Sequence, residues 1–155
     1  MNPPAPLLRD YIETWLRDEG HKTKMALADD GNDALFSFRS RGLEYLVNTD
    51  EEHPDFLHLR LIMVLDADVS LATLADAAQG VQSAKPIVKI RYTSDEVEFH
   101  VEQFLAPGQL DTIFWRCVQI LRDSNDAFFA ELRAAAPASA ARAFISEVTR
   151  ELHLS

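Results

Sequence analysis

The chain has 155 residues and a mass of 17.5 kDa, the size of one domain and too short for two ordinary ones. Its residues are 47 % hydrophobic and 26 % charged, enough apolar surface to offset ordering entropy, which excludes a disordered polymer. With 15 Lys and Arg against 25 Asp and Glu it carries −10 at neutral pH. That balance argues against a nucleic-acid partner, whose phosphates need a basic surface.

No apolar run approaches the roughly 20 residues that span a bilayer, so membrane insertion is not expected. Met1-Asn2-Pro3-Pro4-Ala5-Pro6 lacks the basic start and apolar stretch of a secretory leader. The lone Cys117 has no partner within the chain and fits a reducing, cytoplasmic setting.

Residues 1–6 read as a flexible Pro-rich stub. A helical stripe follows at Leu8, Tyr11, Ile12, Trp15 and Leu16, with Gly20 placed to end it. Beyond Gly20 the period drops to two. Met25 and Leu27 alternate with polar and small residues, and Asp29-Asp30-Gly31-Asn32 is a strong turn sequence. Pairing across that turn sets Met25 against Phe36 and Leu27 against Ala34. A second tight turn, placed at Ser40-Arg41, sets Phe38 against Leu43 and Phe36 against Tyr45. Both registers put the large apolar residues on one face, and a one-residue slip would scatter them.

An acidic loop, Thr49 to Asp55, leads into a strand from Phe56 to Leu65, with Leu57, Leu59, Leu61 and Met63 on one side and His58 and Arg60 on the other. Ser70 is an N-cap for an Ala-rich helix from Leu71 to about Ser83. The third hairpin pairs Tyr92 with Val97, Ile90 with Phe99 and Arg91 with Glu98, which makes one side apolar and the other a ladder of opposite charges. The longest helix is expected from about Gln109 to Ala135, on a stripe of Leu110, Phe114, Cys117, Val118, Leu121, Phe128 and Leu132. After Pro137, residues 136–155 read as a helical extension of the same domain. The order is α-β-β-β-β-α-β-β-α-α. It predicts an α+β fold in two layers, a mostly antiparallel sheet with its helices on one face.

Three stretches carry a family likeness: Asp29-Asp30-Gly31 before a Phe-x-Phe strand, Gly42-Leu43-Glu44-Tyr45-Leu46-Val47, and His53-Pro54-Asp55-Phe56-Leu57-His58-Leu59. With the stretch from Lys85 to Leu105 and the long helix, they resemble the YbjN family over residues 7–135. The resemblance implies a fold like that of type III secretion chaperones and a small, acidic, homodimeric bacterial domain. In those chaperones the fold binds an extended stretch of a client protein. The family is described as a sensory transduction regulator, and it offers no catalytic residues to carry over.

Nothing in the residues builds an enzyme, a cofactor site or a metal site. No histidine has an i+4 partner or a nearby Cys. His100, between Glu98 and Glu102, is accounted for by the charge ladder, and His58 with Arg60 has the same status. Asp29, Asp30 and Asp33 lack the alternating ligand spacing of a calcium loop. Between Ala28 and Asp55, eight acids and two Arg give a net −6, read as a solvated segment. Cys117 in an apolar stripe reads as a buried small hydrophobe.

One feature stands out. If Phe36, Tyr45, Ile90 and Phe99 face the helices, then Leu35, Leu46, Ile62, Val64 and Ile87 face the other way. Five aliphatics on the outward side of a sheet form a candidate protein-interaction surface, for a second copy or a client polypeptide. The alternative is a small-molecule-responsive regulatory domain, its pocket between sheet and long helix lined by Trp115, Tyr45 and Phe104.

Overall fold

The computed structural model describes residues 8–27, 33–50, 52–53, 55–66 and 68–135. In chain order these form α1 (Leu8–Asp18), β1 (Thr23–Leu27), β2 (Asp33–Ser40), β3 (Leu43–Asp50), β4 (Phe56–Val64), α2 (Leu71–Ala84), β5 (Lys89–Tyr92), β6 (Glu96–Phe104) and α3 (Trp115–Ala135). The strands make one antiparallel sheet of six, in the order β1-β2-β3-β4-β6-β5. This is the expected α+β architecture. The extension after Pro137 lies outside the described residues, as does the turn Asp29–Asn32.

Helix α1 ends as its glycine requires. Gly20 sits at φ +86°, its amide donates to the Arg17 carbonyl and the His21 amide donates to the Leu16 carbonyl. Those two bonds are the Schellman pair, which satisfies the helix's last acceptors and turns the chain toward β1. At the other helix start, the Ser70 hydroxyl accepts from the Thr73 amide at 3.1 Å, capping α2 as expected. The long helix enters through a 3₁₀ turn, Pro107–Gln109, and a π turn, Leu110–Phe114, before the regular spiral begins at Trp115. The single expected helix is thus three joined segments. The wider π turn brings positions four apart closer into line, and Leu110 and Phe114 are both buried.

Two hairpin registers match expectation: Met25 lies opposite Phe36, and Tyr92 opposite Val97 with Arg91 opposite Glu98. The β2–β3 hairpin is shifted by two residues. Ser40 pairs with Leu43, Phe38 with Tyr45 and Phe36 with Val47, because the turn is Arg41-Gly42 rather than Ser40-Arg41. Arg41 has φ +50° and Gly42 φ +80°, and a two-residue hairpin turn of this kind needs positive φ at both central positions. A shift of two leaves every side chain on its predicted face.

The core lies between the sheet and the helices. Phe36, Phe38, Tyr45, Leu59, Leu61 and Phe99 are fully buried on the inner face, against Ile12, Leu16, Leu74, Phe114, Leu121 and Phe128. Phe99 meets Phe128 edge to face at 5.5 Å between ring centres. Cys117 is buried in the α3 stripe, and burial pushes its thiol up. No described helix is long and apolar enough to cross a membrane.

The two sheet edges differ. On β5 the outward amide of Ile90 donates to the Gln82 side-chain oxygen at 2.8 Å, so α2 occupies that edge at Ile90. Among the described residues β1 pairs with β2 alone.

Candidate functional site

All described helices lie on the inner face, so the outward face is built from strand side chains. Period-two alternation and the observed registers place them in rows across the sheet. One row runs Lys24, Ser37, Leu46, Arg60, His100, Lys89; the next runs Leu35, Asn48, His58, Glu102. Arg39 and Glu44 are direct cross-strand partners on the same face, as are Phe56 and Phe104.

The candidate aliphatic surface takes a different form from the one expected. Leu46 and Ile62 are 5 % and 7 % exposed, and Leu35 and Val64 are half-buried. Ile87 lies before β5 rather than on a strand, and is 43 % exposed. The faces were assigned correctly for the four strand residues; the correction is that an exposed patch of five is not formed. Leu46 sits between Ser37 and Arg60, and Ile62 faces Glu98. The prominent apolar group on this face is Phe104, 63 % exposed, meeting the half-buried Phe56 edge to face at 5.6 Å. For the same reason the imagined inner pocket does not assemble. Tyr45 is stacked on Phe38 in the core, Trp115 packs on Trp15 and His21, and Phe104 lies on the opposite side of the sheet.

Three groups organise the rest of the face. The first is a string of hydrogen bonds: His58 Nε2 lies 2.8 Å from His100 Nδ1, and His100 Nε2 lies 3.1 Å from Glu98 Oε2. The carboxylate takes a proton-bearing nitrogen from His100. That leaves His100 Nδ1 as acceptor and His58 Nε2 as donor in the neutral pair. The rings stack at 5.0 Å. Burial holds both below the usual imidazole range, His58 at about 4, with the neighbouring His100 and Arg60 adding to the effect; the Glu98 bond opposes the shift at His100. Lys89 pairs with Glu102 at 3.4 Å. Arg91 stands opposite Glu98 as expected, but the Lys–carboxylate pair on this face is Lys89 with Glu102, and residue spacing did not connect His58 to His100.

The second group is a shallow hollow beside it, lined by Asn48, Thr49, Phe56, His58 and Arg60. Asn48 Oδ1 and Arg60 Nε are both buried without a hydrogen-bond partner. One wants a donor and the other an acceptor.

The third is a recess of about 510 Å³ at the β1 side, lined by Gly20, His21, Lys22, Lys24, Ser37, Phe38, Arg39 and Glu44. It opens above Ser37, a small residue between Lys24 and Leu46. The Schellman turn delivers His21 to its wall. There His21 Nδ1 donates to the Arg39 carbonyl at 3.1 Å, and the ring packs on Phe38 and Trp115. Glu44 is 4 % exposed, and its Oε2 has no hydrogen-bond partner. None of the ion pairs among the described residues joins it to Arg39. Sequence reasoning missed this recess, because its residues come from three strands and a helix end.

Comparison with known proteins adds a fold and no activity. No family model matches the chain, and no curated protein matches it. A solved structure of an uncharacterized protein from Methanothermobacter thermautotrophicus is similar in fold, with a TM-score of 0.53 at 13 % identity. The match covers 79 % of this chain and 99 % of that one. No group of three or more His, Cys, Asp or Glu placed to hold a metal ion occurs among the described residues.

Proposed function

We propose that this domain is a non-enzymatic, chaperone-like protein-binding module, homodimeric and cytoplasmic, that holds an extended client polypeptide on the outward face of its sheet. The reading keeps to the YbjN-like motifs and the role that resemblance implies. The observation that carries it is the pair of unsatisfied groups in the hollow, Asn48 Oδ1 and Arg60 Nε, beside the exposed ring of Phe104. Unmatched buried polar atoms are costly. An extended polypeptide brings an N–H for the first, a C=O for the second and an apolar side chain for the third. The surrounding charge of −10 keeps a complex with an exposed client soluble.

The experiment is capture of clients from the native host, followed by binding of the recovered polypeptide to wild type and to Phe104→Ser and Arg60→Gln. Loss of affinity by about tenfold or more in either variant is the expected result. Equal binding by all three proteins would remove the outward face from the proposal. Sedimentation equilibrium checks the dimer.

The second reading, a small-molecule-responsive regulator, draws on the recess beside β1. Its volume of about 510 Å³ lies within the range of small-ligand sites.

A further inference from the structure

The recess joins features that a merely solvated surface does not combine. Arg39 and Glu44 are direct neighbours across the β2–β3 ladder, where opposite charges stand close enough to pair. They do not pair. Arg39 is exposed, while Glu44 is a buried residue, 4 % exposed, with Oε2 unmatched. Both line the hollow over Ser37, together with Lys24 of β1 and Lys22 just before it. A buried carboxylate oxygen with no donor is costly to leave unmade, and a ligand that supplies the donor removes that cost.

The charges specify what that ligand is. Three cations, Lys22, Lys24 and Arg39, line a hollow in a protein of net charge −10, so the entrance favours an anionic group. A simple polyanion such as phosphate would meet Glu44 in the wall and be repelled. A simple cation would satisfy Glu44 but face the three basic side chains. A molecule with an ammonium and a carboxylate a few bonds apart satisfies both, its ammonium on Glu44 and its carboxylate on Arg39 and Lys24. His21 Nδ1 is committed to the Arg39 carbonyl.

We infer that the recess between the α1 terminus and β1–β3 is a binding site for a free α-amino acid, held by Glu44 at its ammonium and by Arg39 and Lys24 at its carboxylate. The site is separate from the hollow at Asn48 and Arg60, and it stands or falls independently of client binding there.

The test is calorimetric titration of the full chain with each of the twenty L-amino acids. The best binder is then repeated as its N-acetyl derivative, which lacks the ammonium, and as its amide, which lacks the carboxylate. The expected result is saturable binding of at least one free amino acid, weakened about tenfold or more by either modification and by Glu44→Gln. Arg39→Gln, at an exposed position, gives the same loss without disturbing a buried group, so the outcome does not depend on Glu44→Gln folding. No saturable binding of any amino acid would overturn the inference. Undiminished binding of the amide would also overturn it, since the site would then read a polypeptide N-terminus. Undiminished binding of the N-acetyl form would do the same in favour of a C-terminus.

Discussion

The contact between His58 and His100 requires a bare acceptor nitrogen on His100, to which His58 Nε2 donates at 2.8 Å. A proton added to the acceptor removes the bond and sets two cations in stacked contact. In the unfolded chain each ring takes up its proton near pH 6.5, whereas in the folded protein His58 does so at about 4. Between those values the unfolded state binds more protons. Stability is therefore fully present above pH 6.5 and declines as pH falls toward 4. The expected loss is about 1–2 kcal/mol, reduced from the full shift because the ring is partly exposed. Melting temperature against pH checks it: the acid slope of wild type should flatten in His58→Asn, and an unchanged slope would assign it to other groups. Spacing could not reveal this pair, because 42 residues separate its members and only the β4–β6 register makes them diagonal neighbours. Glu44 and Arg39 were equally silent. Their adjacency was within reach of hairpin reasoning, but the assumed turn put Glu44 opposite a different residue.

Turn chemistry explains which elements were legible. For β5–β6 the apolar and charged patterns select the same register, and it was found. In β2–β3 the apolar pattern is blind to a shift of two, so only the conformational demand of Gly42 settles the matter. Gly42→Ala at φ +80° should cost about 1 kcal/mol in urea denaturation with little change in the fluorescence of the folded state. Gly20→Ala, at φ +86°, should cost a similar amount. It should also displace His21, weakening any ligand of the recess. The stripe on α3 was read correctly in identity, and its centre is where the helix meets the sheet. Phe128→Ala, which removes a fully buried ring from Phe99, should cost about 3–5 kcal/mol. Outward burial was not legible. Alternation assigns a face, and Leu46 and Ile62 are on it, but their cover depends on which long side chains flank them from other strands.

At the scale of the molecule, the two sides of the sheet have separate duties. The inner side, with its helices, holds the fold together; among the described residues, the buried side-chain atoms without a partner divide evenly, Glu44, Asn48 and Arg60 on the outer side and Tyr45, Arg122 and Asn125 on the inner. Gln82 on the Ile90 amide has a further effect. It blunts one edge of the sheet at Ile90, whereas β1, among the described residues, pairs with β2 alone. Gln82→Ala should bare that amide, and faster hydrogen exchange at Ile90 than in the wild type checks it.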